Sequence, residues 1–312
     1  MTTHASVRAT PHPVGAKRPQ RRSTTWAANY PFQFLIPAFL VLVVFYFLPS
    51  LFNFIYALTN WSSFHASVGF VGLSNFSSLL SNGTLLADIK TTLIFAALVA
   101  IFQNIFGLVL ALVLERDTRL NRAARVAFFV PVVMSALAIG YVFQAFLKPH
   151  GALDAILGVF TGHSLSTDWL GSTTWAVVVV ALIQSWKWMG LSMLIYLAGL
   201  KTISGDVLEA ATLDGAGWWA LFRRIRFPLI APALTFNVAT ALLGSMNGFD
   251  TVQATTRGGP GGSTELLNIY IFRSFGQGLF AQATTMSLTL FIIVGVLAFP
   301  VIGVLRRRER VL

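Results

Sequence analysis

Residues 91–114 read TTLIFAALVAIFQNIFGLVLALVL, and no side chain in that run is charged. A helix needs roughly 20 apolar residues to cross about 30 Å of hydrocarbon, and this run exceeds that. Five more windows of the same kind lie at about 34–58, 123–147, 174–200, 228–249 and 281–305. Across the 312 residues, 55% are hydrophobic and 11% charged, with mean hydropathy +0.72. Soluble domains carry about 25% charged residues. Backbone polar groups in lipid must be satisfied within their own segment, which selects helix. A barrel strand is a run of about ten residues with alternating polarity, and these windows have neither that length nor that alternation. The sequence predicts an all-α, polytopic membrane protein with six transmembrane helices.

The net charge of +11 raises the question of nucleic acid, and its distribution argues against that partner. Arg8, Lys17, Arg18, Arg21 and Arg22 precede the first window. Arg116, Arg119, Arg122 and Arg125 lie between or at the edges of the second and third. Lys201, Arg223, Arg224 and Arg226 lie between the fourth and fifth, and Arg306, Arg307, Arg308 and Arg310 follow the sixth. The opposite side holds Lys90, Lys148, Arg257 and Arg273, a bias of seventeen to four among the 22 basic residues. Such a bias puts the basic loops in the cytoplasm, and both termini with them. The expected location is the cell membrane, multi-pass. Residues 1–30 are polar and Pro/Arg-rich and read as a disordered basic tail, with 31–312 as the membrane domain. The first window exceeds the 7–15 residues of a signal core and is read as retained. With no cysteine, disulfides and thiol chemistry are excluded.

Between the windows, Val71-Gly72-Leu73-Ser74-Asn75-Phe76 reads as a turn into a short surface helix in an external loop at 60–90. A second external loop covers 148–173. A third, 250–280, divides into the glycine-rich turn Thr256–Ser263 and a half-apolar segment, Glu265–Phe275, too short to cross. Pro49 predicts a kink in the first window.

The cytoplasmic loop 201–227 carries the most specific pattern, Glu209-Ala210-Ala211-Thr212-Leu213-Asp214-Gly215-Ala216-Gly217-Trp218-Trp219. Asp206 and Glu209 have capping-box spacing. Ala210, Ala211 and Leu213 favour helix, and Gly215 permits a sharp turn. Trp218–Arg226 resumes as a second helix, and Pro228 suits the first turn of the next span. On these grounds alone the loop is a bent helical elbow or an amphipathic interfacial helix with basic residues at the headgroups.

The loop resembles the coupling loop of ABC-importer permeases of the carbohydrate (maltose/glycerol-phosphate) type. Gly199-Leu200, Ile203, Glu209-Ala210-Ala211, Asp214-Gly215-Ala216, Phe222, Ile225 and Pro228-Leu229 follow that pattern. Ser204 and Phe227 stand where a proline and a leucine are usual. Trp169-Leu170, Trp186-Lys187 and Phe249-Asp250 leading to Thr256-Arg257-Gly258-Gly259-Pro260 extend the likeness over roughly 34–305. The resemblance implies a permease subunit of an ATP-driven importer that moves a sugar or sugar-like solute into the cytoplasm. It implies four kinds of partner: a second homologous permease, two ATP-binding cassette subunits, an external solute-binding protein and the sugar itself. ATP and Mg would sit on the partner ATPase, with no cofactor on this chain. Glu209, Ala210, Ala211, Asp214, Gly215, Ile225 and Pro228 would carry the coupling.

Inside the windows, Lys187 is the one deeply placed charge, and such a charge marks a cavity or a pairing. Gln184 and Trp188 lie three residues before it and one after, so all three can share a helix face. An indole beside hydrogen-bonding groups suits a sugar ring. With Asn247 and Asp250 they form the expected substrate path, and Asn237, Ser245, Gln103 and Asn104 are weaker candidates. The alternative is a packing tryptophan and a lysine held by a carbonyl. None of the five lysines follows a glycine, so no phosphate-binding loop exists and the chain does not hydrolyse ATP itself. The five histidines lie outside the windows without metal-ligand spacing. An ion- or proton-coupled secondary transporter is the alternative function; it generally needs intramembrane carboxylates or broken-helix ion sites.

Overall fold

The computed structural model describes residues 32–309; the tail read over 1–30 lies outside them. Among the described residues there is no named strand, only one antiparallel bridge between Thr59 and Phe70. The chain divides into two compact units at Pro49 and Ser50.

In the first unit, α1 (Ile36–Leu42) carries Pro37 in its first turn and passes into a π-helical turn, Val43–Phe47. Helix α2 (Leu48–Tyr56) begins there. Pro49 has no N–H, and its ring crowds the carbonyl four residues back. That carbonyl belongs to Phe45, inside the π turn, so the expected kink takes the form of a widened turn.

The second unit holds the remaining helices. They are α3 (Ser74–Ser81), α4 (Thr84–Val113), α5 (Arg119–Val133), α6 (Ala136–Leu147), α7 (Ala152–Thr161) and α8 (Ala176–Lys201). There follow α9 (Gly205–Leu213), α10 (Trp218–Leu221), α11 (Phe227–Leu229), α12 (Ala231–Ser245), α13 (Phe249–Thr255), α14 (Leu267–Gly276) and α15 (Phe280–Glu309). The centre is α4 against α8, with α12 against both. Small residues let the helices approach: a Cβ on Gly190 of α8 would collide with the Phe128 carbonyl of α5. One apolar cluster joins Phe95, Val99, Val180, Val252 and Leu266. A second joins Ala111, Met193, Tyr196, Leu197 and Ile230.

Four helical stretches are long and apolar enough to cross a membrane: Ile36–Tyr56, Thr84–Val113, Ala176–Lys201 and Phe280–Pro300. The window at 123–147 falls on a bent helix pair rather than a straight span, and the window at 228–249 is mainly α12, joined by a bend to the helical stretch of the preceding loop. Arg119–Val133 and Ala136–Thr161 meet at 99°, and Trp218–Leu229 and Ala231–Ser245 at 69°. Local chemistry explains both. Pro131 lies in the last turn of α5, Met134 is extended, and the Ser135 hydroxyl caps α6 by accepting from the Ala138 N–H at 3.5 Å. At the second bend Pro228 and Pro232 flank Ile230, where the backbone leaves helical geometry.

Two loop boundaries move. Helix α4 starts at Thr84, so Lys90 and Asp88 are helical rather than in the external loop, and Asp88 is a buried carboxylate. The loop at 148–173 contains α7. Its Asp154 accepts from the N–H groups of His150 (3.0 Å) and Thr167 (2.8 Å) and from the Trp169 indole (3.2 Å). The turn at Val71–Phe76 leads into α3 as expected, with Gly72 at φ 58°.

Candidate functional site

The coupling loop folds as two short helices joined by a tight turn. Ser204, not Asp206, is the N-cap of α9: its hydroxyl accepts from the Asp206 N–H at 3.3 Å, and Asp206 sits in the first turn. The cap therefore lies two residues earlier than the carboxylate spacing suggested, because a hydroxyl in extended backbone takes the role directly. At the other end, the Gly215 N–H reaches the Thr212 carbonyl and the Ala216 N–H the Ala211 carbonyl, both at 3.0 Å. With Gly215 at φ 82°, that is a Schellman closure, which needs a residue tolerant of left-handed backbone. Asp214 is the C-cap.

The chain then enters α10 and a π turn, Phe222–Arg226, that contains Ile225 and is followed by Pro228 in α11. Trp218 stacks on Phe222 with ring centroids 6.0 Å apart and 9° between planes. Glu209, Ala210, Asp214 and Gly215 are exposed, and Ala211, Ile225 and Pro228 half-buried. Leu208, Glu209, Thr212, Leu213, Leu221 and Arg226 line an open hollow of about 400 Å³. Leu213 is 89% exposed, and Glu209 forms no ion pair among the described residues.

The base of the elbow is fixed to the helical body. Arg226 Nη1 lies 2.7 Å from Glu115 Oε2, just beyond the end of α4. Arg125 of α5 donates to the carbonyls of Leu114 (3.0 Å from Nε), Glu115 (3.1 Å) and Arg116 (3.1 Å). Those carbonyls follow α4 and lack intrahelical donors; one guanidinium reaches all three, and the Arg116 carbonyl also accepts from the Thr118 N–H and the Asn121 side chain.

Farther into the body, α4, α8, α12 and α13 enclose a cavity of about 320 Å³. Gln184, Trp188, Asn247 and Asp250 line it, as do Gln103 and Ser245. Thr240 and Thr251 also line it; a lone threonine, whether in an apolar run or beside one, carries no sequence signal of facing a cavity. Thr251 Oγ1 donates to Gln184 Oε1 at 2.5 Å, and Gln103 Nε2 to Ser192 Oγ at 2.9 Å. Asn247 and Asp250 are exposed. The surface combines one indole, several amides and hydroxyls, and one carboxylate.

Lys187 is not among the lining residues. Its Nζ donates to the carbonyls of Val132 (3.0 Å) and Pro131 (3.4 Å), and it lies 4.5 Å from the Trp188 ring centroid. The face shared by all three residues therefore divides, with Gln184 and Trp188 toward the cavity and Lys187 toward the end of α5. Asn104 and Asn237 serve helix contacts: Asn104 accepts from the Tyr196 hydroxyl at 2.5 Å, and Asn237 donates to the Ser192 carbonyl at 3.3 Å. No group of three or more metal-ligating side chains occurs among the described residues.

Known proteins supply an independent comparison. Residues 103–310 match the family described as binding-protein-dependent transport system inner membrane component. The multiple sugar-binding transport system permease protein MsmF of Streptococcus mutans is 28% identical over 267 residues, covering 85% of this chain and 91% of that protein. The probable starch degradation products transport system permease protein AmyD of Thermoanaerobacterium thermosulfurigenes is 30% identical over 286 residues, covering 88% and 94%. A bacterial ABC transporter involved in the import of the acidic polysaccharide alginate shares the fold, at TM-score 0.76 and 21% identity over 88% of this chain and 94% of that one. These likenesses lend no support to a secondary transporter. The chain belongs to the inner-membrane components of binding-protein-dependent transport systems.

Proposed function

We propose that this chain is one permease subunit of an ABC importer for a sugar or sugar-like solute. It pairs with a second homologous permease and with two ATP-binding cassette subunits, which hold ATP and Mg. An external solute-binding protein delivers the solute, and both termini of this chain face the cytoplasm. The observation that carries this reading is the elbow: an exposed Glu209 on α9, without an ion pair among the described residues, and a base clamped to the end of α4 through Arg226 and Glu115. A locked bend above a fixed base would let a push on α9 reach the helical body instead of being lost in a loose loop.

The mechanism follows from that linkage. Closure of the ATPase dimer pushes α9 through its contact with Glu209, Ala210 and Ala211. Gly215 and Asp214 keep the two short helices at a fixed angle, so the push reaches Ile225, Arg226 and Pro228. From there the ion pair to Glu115 carries it to α4, the helix that bears Gln103 at the cavity. Each contact must differ in energy between two states for the switch to be driven. In the cavity, Trp188 offers a ring face to sugar C–H groups, while Gln184, Asn247 and Asp250 offer acceptors and donors to hydroxyls. Co-purification of the tagged chain tests the reading. A second permease, an ATP-binding cassette protein and a saccharide-loaded binding protein are expected, and isolation as a lone chain with ion-gradient-driven uptake would overturn it.

A further inference from the structure

The corner between α5 and α6 and the cavity wall on α8 meet at one side chain. The α5 helix stops at Val133, and the last carbonyls of a helix lack intrahelical donors. In a membrane, each such group left unsatisfied is costly. Lys187 reaches across from α8 and donates to the Val132 carbonyl, and it adds a second donor at Pro131, whose carbonyl also accepts from the Met134 N–H at 3.3 Å. Its positive charge also meets the negative end of the α5 dipole. The same ammonium lies 4.5 Å from the Trp188 ring centroid, within cation–π range. Trp188 lines the cavity, and so does Ala136, the first residue of α6 beyond the corner. Gly190 of α8 holds the two helices in direct backbone contact at Phe128.

We infer that Lys187 is a positioning residue of transport: it latches the α5–α6 corner to the Trp188 face of α8, so that corner and cavity wall change state together. A solute stacked on Trp188 then bears on the corner through Lys187. The α5 helix connects the corner to Arg125, whose guanidinium grips the residues after α4 beside the Glu115–Arg226 pair. Cavity and elbow are thus joined by consecutive physical contacts rather than by distance alone. This inference rests on the ATP-driven reading above. It assigns Lys187 no direct contact with solute.

The test uses the complete complex in lipid nanodiscs, with spin labels at Leu120→Cys on α5 and Val142→Cys on α6. Leu120 is 78% and Val142 65% exposed, and the chain has no native cysteine. Distances are recorded nucleotide-free, and again with the binding protein plus ATP, Mg and vanadate. With Lys187 present, two narrow and different distances are expected. Lys187→Met is expected to broaden both, to reduce their difference at least by half, and to lower ATPase stimulation by the binding protein at least tenfold. Lys187→Arg keeps charge and donors and is expected to retain two distinct distances. If the Met variant fails to insert, Lys187→Gln is expected to show the same halving. Unchanged distances in Lys187→Met, an identical distance in both states of the unsubstituted complex, or equal loss in the Arg and Met variants would overturn the latch. Failure of ATP and vanadate to trap any complex would overturn the ATP-driven reading along with it.

Discussion

Cutting the clamp at the base of the elbow by Arg226→Ala has a cost that can be worked out in advance. Arg226 Nη1 and Glu115 Oε2 are 2.7 Å apart, with side chains 18% and 28% exposed. A fully exposed pair contributes about 0–1 kcal/mol, and losing one partner of a buried pair costs about 3–5 kcal/mol. This pair lies between those limits. Arg226 Nε is itself buried without an acceptor, and removing that orphan offsets part of the loss. About 2 kcal/mol is the resulting figure, or roughly a thirtyfold fall in the ratio of clamped to unclamped elbow. The assay is amide hydrogen exchange over residues 205–213, together with solute uptake by the whole complex. Exchange should rise on the order of thirtyfold and uptake should fall with it, while membrane insertion is unchanged. The charge-swapped pair Glu115→Arg with Arg226→Glu should recover most of both. Unchanged exchange and uptake in Arg226→Ala would refute the clamp, and so would a swap that recovers nothing.

Three further outcomes are expected. Trp188→Ala removes the ring face of the cavity and should weaken solute-stimulated ATP hydrolysis at least tenfold without loss of assembly, as read by titrating the loaded binding protein against the complex. Gly205→Cys, where a side chain meets nothing within 4 Å, should react with a membrane-impermeant thiol reagent only after lysis, whereas Ser166→Cys should react in intact cells. Burial holds the Glu265 carboxyl above its ordinary range, and the Arg273 guanidinium 2.5 Å away works against that shift. A raised folded-state pKa contributes stability that is present at low pH and lost as pH rises through it. The Tm of the solubilised protein should therefore gain more on acidification than that of Glu265→Gln, and parallel pH profiles would contradict this.

The unbroken membrane helices were legible because apolar length is a direct physical demand of the bilayer. Residues 91–114, 174–200 and 281–305 correspond to α4, α8 and α15. The bend inside 123–147 was not legible by that measure, since a hydropathy window averages across Pro131, Met134 and Ser135 alike. The clue was present as a proline followed four residues later by a capping serine, the pattern of a helix that stops and restarts. The Gly215 turn could be read because glycine is the residue that accepts left-handed backbone without strain. Gln184 and Trp188 share the cavity because residues four apart lie on one face. Lys187 lies to one side of that face, held by main-chain carbonyls as the alternative reading of the sequence had it, although no side-chain pattern says which helix supplies them. Thr240 and Thr251 became visible only once α12 and α13 were placed against α8.

We propose α9 and the Gly215 turn as the handle by which an ATPase drives this permease. The most direct measurement is solute uptake, with ATPase-subunit binding, by the double variant Glu209→Ala, Gly215→Val. Loss of a charged contact that is desolvated on docking costs on the order of 2–5 kcal/mol. A valine in left-handed backbone adds about 1–2 kcal/mol. Affinity for the ATPase subunit should fall at least tenfold and uptake should be abolished, with membrane insertion intact. Full uptake at unchanged affinity would contradict the account and reduce the elbow to an interfacial helix.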